Sequence, residues 1–139
     1  MKKFLLILTL ALLAGFASKA QEDDDNDKIR DKMREFIQKR LDLTRNEAER
    51  FTPVFIRYFR EWKQTLQENR NDGLVRQQRI IELRLRYRTE FRDIVGEKRS
   101  NDVYKQQDVF VHEITKMREE QIRARRADIP KKGIQTLLQ

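Results

Sequence analysis

From Lys28 to Arg126 apolar residues recur at spacings of three and four, with very few turn-forming residues between them. That period lines one stripe of an α-helix; a half-buried strand would alternate instead. The whole chain of 139 residues holds four Gly and two Pro. Sandwiches and barrels need a turn roughly every 8–12 residues, and the material for them is missing. The expected class is all-α.

Four helices follow. The first runs from Lys28 to about Arg40 on Ile29, Met33, Phe36, Ile37 and Leu41. The second begins at Arg45, because Thr44 and Glu47 form a capping box: the hydroxyl accepts the N–H of residue 47 and the carboxylate reaches back to the N–H of Thr44. Leu43 stands where a side chain packs onto that first turn. The stripe of this helix is Ala48, Phe51, Phe55, Phe59, Trp62 and Leu66, with Val54 and Tyr58 beside it. Pro53 lies well inside, removes one helix hydrogen bond and is expected to bend the axis. Asn71-Asp72-Gly73 is a turn signal. The third helix, about Leu74 to Val95, carries Ile80, Leu83, Tyr87, Phe91 and Ile94. Its other face is rich in Arg. After Gly96 the fourth helix starts at Glu97 or Asn101 and ends near Arg126, with Val103, Phe110, Ile114, Met117 and Gln121 on one face. Residues 127–139 contain Pro130 and Gly133 and no sustained period, the pattern of a flexible tail.

The N-terminus has the three-part layout of a secretory signal: basic Met1-Lys2-Lys3, an apolar run from Phe4 to Ala17, and small residues around Ser18-Lys19-Ala20. The run is short of the roughly 20 residues that span a bilayer. Cleavage after Ala20 is expected, with export to a periplasm. No Cys follows, so the chain does not read as a lipoprotein. Residues 21–27, with Glu22, Asp23, Asp24, Asp25 and Asp27, read as a flexible acidic leader. The helical domain is then 28–126.

The net charge of +8 falls to +5 once the three Lys of residues 1–20 are set aside. About a third of the remaining residues are apolar, thin for a deep core and suited to long helices that each bury one stripe. A pI near 9.9 ordinarily suggests nucleic acid, but an exported protein seldom meets it. There is no Cys and one His, and no Gly-rich phosphate loop. No nucleophile–base pair stands out. The chain is not expected to be an enzyme, and no catalytic residue or cofactor is assigned.

Leu43-Thr44-Arg45-Asn46-Glu47, continuing into Ala48-Glu49-Arg50-Phe51-Thr52-Pro53-Val54, resembles the LTxxQ motif of the Spy/CpxP family, in its Bacteroidetes-type branch. The resemblance covers about residues 28 to 125. Glu47 replaces the motif's last Gln. Where the family often repeats the motif, Glu97-Lys98-Arg99-Ser100-Asn101-Asp102-Val103-Tyr104 has Val103 at the position that would close a cap on Ser100. The resemblance implies an extended, curved helical-hairpin cradle, an antiparallel homodimer with a basic, partly apolar concave face. It implies a periplasmic ATP-independent chaperone for unfolded or aggregation-prone envelope proteins. The alternative is an accessory regulator or sensor in envelope-stress or sigma-factor signalling, with a membrane sensor or anti-sigma partner and a link to heavy metals, which some relatives bind.

The candidate client-binding residues are Phe55, Phe59, Trp62, Arg84, Arg86 and Arg88: cations to attract acidic chains, aromatics to hold apolar segments. The competing reading makes the aromatics core and the Arg residues a solvated face with helix ion pairs. His112, beside Glu113 and one and a half turns before Met117, is a weak candidate metal ligand, since a transition-metal site wants two or more such ligands on one face.

Overall fold

The computed structural model describes residues 23–128; residues 1–22, with the expected secretory signal, and residues 129–139, most of the expected tail, lie outside the described residues. The architecture is all-α. Four helices follow in chain order: α1 over 23–40, α2 Arg45–Glu68, α3 Gly73–Val95 and α4 Glu97–Ala127.

Residues 23–27 are helical rather than a free leader. Their carboxylates find partners along the helix, Asp24 with Lys28 at 3.0 Å and Asp27 with Arg30 at 2.9 Å, the i,i+3 and i,i+4 pairings that favour helix. α1 ends in a Schellman arrangement: the N–H of Leu43 donates to the Gln38 carbonyl and that of Asp42 to Lys39. Asp42 takes the left-handed conformation there, φ 50°, which Asp tolerates better than most residues.

α2 runs unbroken through Pro53, which sits on the exposed side. α3 begins on Asp72, whose carboxylate accepts the N–H groups of Leu74 and Val75. α4 begins at Glu97, after a one-residue link at Gly96. Ser100 does not cap it; its side chain is buried and donates to the Glu97 carbonyl.

Consecutive helices run antiparallel. Lys63 reaches Asn26, while Gln38 at the other end of α1 reaches Thr52. Arg86 pairs with Glu61 and Arg57 with Glu90 across α2 and α3. Tyr104 of α4 donates to the Arg84 carbonyl of α3, and Phe36 of α1 packs on Phe110 of α4 at 5.5 Å. All four helices therefore surround one core, a closer arrangement than the modest apolar content suggests. Aromatic residues account for it, because each buries far more area than an aliphatic side chain. Tyr58 is the centre, against Tyr87, Phe91 and Tyr104 at 5.4–5.8 Å. α2 buries two seams, not one: Val54 and Tyr58 are as enclosed as Phe51, Phe55 and Phe59, since α2 packs against neighbours on both sides.

The bundle is closed at one end only. In the register set by Arg84 and Asp108, Gly73 at the start of α3 lies level with residue 119 of α4. At 1.5 Å per residue α4 then projects about 12 Å past the α2–α3 hairpin. Every residue from Thr115 to Asp128 is exposed.

Candidate protein-binding surface

The motif turn forms a complete capping box. Thr44 Oγ1 accepts the Glu47 N–H at 3.2 Å, and Glu47 Oε1 accepts the Thr44 N–H at 3.1 Å. Leu43 is half-buried against the core. Glu47 has a further role that its local sequence does not reveal. Both of its oxygens accept from the Arg99 guanidinium of α4, which also reaches the Leu41 carbonyl at 3.5 Å. The α1–α2 turn is thereby tied to α4. The Arg99 hydrogen bond, helped by the Thr44 N–H, holds the Glu47 carboxyl below the usual carboxylate range.

The six candidate binding residues separate. Phe55 and Phe59 are core, 0% and 5% exposed, and are unavailable to a client while the bundle is folded. The reason is the two-sided packing of α2, which leaves its aromatic face no solvent. Trp62 is half-buried on Phe59 at 5.6 Å. Arg84 is a cross-link, not an open cation. Its guanidinium meets Asp108 at 2.5 Å, donates to Tyr58 and Gln107, and lies 5.2 Å from the Tyr104 ring centre. Burial opposes its charge, but the Asp108 carboxylate and Tyr58 outweigh that and hold its pKa above the ordinary arginine value. Burial likewise pushes the Tyr58 and Tyr104 hydroxyls up. Arg86 is exposed and pairs with Glu61 at 3.3 Å. Arg88 is exposed with no carboxylate in bridging distance among the described residues.

Gln107 was invisible to stripe reasoning, as a polar residue in the α4 core line. It is fully enclosed, and its Oε1 accepts from Tyr58 and Arg84 while its Nε2 has no partner among the described residues. Also missed was a second apolar line on α3. Leu74, Ile81 and Leu85 are 80%, 57% and 52% exposed. The signal was present, at spacings of seven and four, but the stronger stripe through Leu83 and Tyr87 masks it. On α4, Met117 and Ile122 are exposed as well. They continue the core-facing side past the point where neighbours end.

An open groove of about 390 Å³ lies between α1 and α2, lined by Asn26, Asp27, Arg30, Phe59, Arg60 and Lys63 among others. Most of its polar groups are spent on one another, Arg30 on Asp27 and Lys63 on Asn26. His112 is exposed on α4. No three His, Cys, Asp or Glu side chains gather as a metal site among the described residues. No helix among them is long and apolar enough to cross a membrane.

Comparison with protein-family models, with curated proteins and with solved structures finds no match for this chain.

Proposed function

We propose that this chain is an exported, ATP-independent protein-binding protein of the Spy/CpxP type, which holds unfolded or aggregation-prone envelope proteins. One observation carries the reading: six large apolar residues, Leu74, Val75, Ile81, Leu85, Met117 and Ile122, stand in solvent among the described residues of a chain with few to spare. Leu74, Ile81 and Leu85 share one side of α3 with Arg88 and Arg92, and an exposed apolar line with a polar rim is the pattern that marks an interaction surface. The LTxxQ-like turn and the composition of residues 1–20 support the family and the compartment.

The mechanism is sequential. Surplus positive charge draws acidic segments over a range set by salt screening. Apolar side chains then shield the client's apolar segments from water. The surface needs no nucleotide-driven cycle to present it. A second copy, as the family resemblance implies, would double the surface.

The test is light scattering of an aggregating client, with mature protein and no ATP, at low and raised salt. Suppression that weakens with salt is the expected result. No suppression at several-fold excess overturns the reading. A regulator would leave aggregation untouched and retain one specific envelope protein in a pull-down.

A further inference from the structure

The exposed face of α3 has more order than a scattered patch. Leu74, Gln78, Ile81, Leu85, Arg88 and Arg92 follow one another at steps of 4, 3, 4, 3 and 4 residues. That alternation is the 3.5-residue repeat of a coiled-coil seam. At 100° per residue the six positions stay within an arc of about 80°, turned away from the buried stripe through Leu83, Tyr87 and Phe91. The seam is about 27 Å long at 1.5 Å per residue. Its first four positions are apolar except for Gln78, and its last two are cationic.

No carboxylate stands in the line itself. The three acidic residues of α3 lie outside the arc; Glu82 is paired with Arg79 and accepts from Gln78, and Glu90 is paired with Arg57. Asp108 of α4 is taken by Arg84. Arg88 and Arg92 have no salt-bridge partner among the described residues. Two unpaired guanidinium groups in line with Leu and Ile make an incomplete interface.

From this we infer that the outer seam of α3 is a docking site for a helix of another protein, amphipathic and acidic. Its apolar residues lie along Leu74, Ile81 and Leu85, and its Glu or Asp residues pair with Arg88 and Arg92. The inference rests on the protein-binding reading above and gives it a specific partner class. A second copy of this chain fits poorly. Packed parallel it sets Arg88 and Arg92 against themselves, and packed antiparallel it sets them against Leu74 and Gln78. A bilayer is also a poor fit, because the seam is one residue wide and flanked by polar Gln77 and Thr89, whereas interfacial helices present a broad apolar face. A line of anchors at these steps is how helices are read in helix-to-helix recognition.

The experiment uses the full mature chain and a labelled synthetic amphipathic helix with Leu at seam positions in one half and Glu in the other. A second peptide carries Lys in place of Glu. Fluorescence anisotropy should show binding of the Glu peptide, weakened about tenfold or more by Arg88→Glu/Arg92→Glu and by Ile81→Gln/Leu85→Gln, in keeping with 1.4 kcal/mol per decade. The charge-reversed variant should gain affinity for the Lys peptide. All four positions are exposed, and circular dichroism confirms that the variants are folded. Equal binding of the Glu and Lys peptides, or indifference to both variants, overturns the proposal. So does self-association lost in Ile81→Gln/Leu85→Gln, or sedimentation with anionic phosphatidylglycerol vesicles that depends on the same residues. Client aggregation measured on the same samples separates the two claims. Suppression of aggregation by the unsubstituted chain, with the Glu peptide unbound by that same chain, removes the seam and leaves the chaperone reading; peptide binding by the unsubstituted chain without suppression does the reverse.

Discussion

At the scale of single residues, Thr44 and Glu47 do different work within one motif. Thr44 satisfies one free N–H at the start of α2. Thr44→Ala should therefore cost about 1 kcal/mol in urea denaturation, as lost N-caps do. Glu47 closes the cap and also receives Arg99. Glu47→Gln keeps an acceptor for the Thr44 N–H but removes the charge on which Arg99 rests. Because the folded carboxyl is held below its ordinary value, its contribution is complete above the unfolded pKa of about 4.3. It is lost as pH falls through the lower, folded value. Wild type should thus lose stability in acid more steeply than Glu47→Gln, and coincident pH–stability curves would discount the ion pair. The cap was legible in the sequence because its partners are three residues apart. The Arg99 tie was not, since 52 residues separate the pair and only the bundle brings them together. Arg84 shows the same limit: nothing local distinguishes it from the solvated Arg residues around it.

At the scale of elements, helix positions followed from period and punctuation, while the choice of buried face depended on neighbours. The stripe of α2 is readable, with Val54 and Tyr58 beside it, but their full enclosure is not, because it requires packing partners on both sides. Phe55→Ala should cost about 3–5 kcal/mol, the usual range for an enclosed Phe, measured by thermal or urea unfolding. A loss near zero would return Phe55 to the exposed surface. Gly96 makes the α3–α4 corner with φ 87° and ψ 168°, a region essentially confined to glycine. An added Cβ meets nothing within 4 Å, so crowding plays no part. Gly96→Ala should still cost on the order of 1–3 kcal/mol through backbone strain alone. Asp42, also at positive φ, gives the opposite case. Asp42→Gly should be neutral or mildly stabilising, because the left-handed penalty of about 1–2 kcal/mol exceeds the added freedom of glycine, about 0.5–1 kcal/mol.

At the scale of the whole molecule, stability should fall along the bundle axis. The closed end has the Tyr58 cluster, the Arg84 cross-link and the Glu47–Arg99 tie within one core. The open end has a helix with solvent on every side from Thr115 onward. An isolated helix of about that length is marginal in water, since helical stability in proteins comes mostly from packing. Amide hydrogen exchange should therefore be slowest in the middle of α2 and α3 and in the first half of α4. It should quicken through Thr115–Ala127 to near the rate of a free helix, because local opening there breaks no tertiary contact. Met117→Gln with Ile122→Gln should leave global stability within about 0.5 kcal/mol, as exposed substitutions do, while lowering client protection if these side chains meet the client. Strong protection of 115–127 would mean that something covers them. Repeating the exchange over a range of protein concentrations identifies it. Protection that grows with concentration places a second copy on the projecting helix, as the Spy/CpxP resemblance implies. Protection independent of concentration requires a cover from within the chain itself.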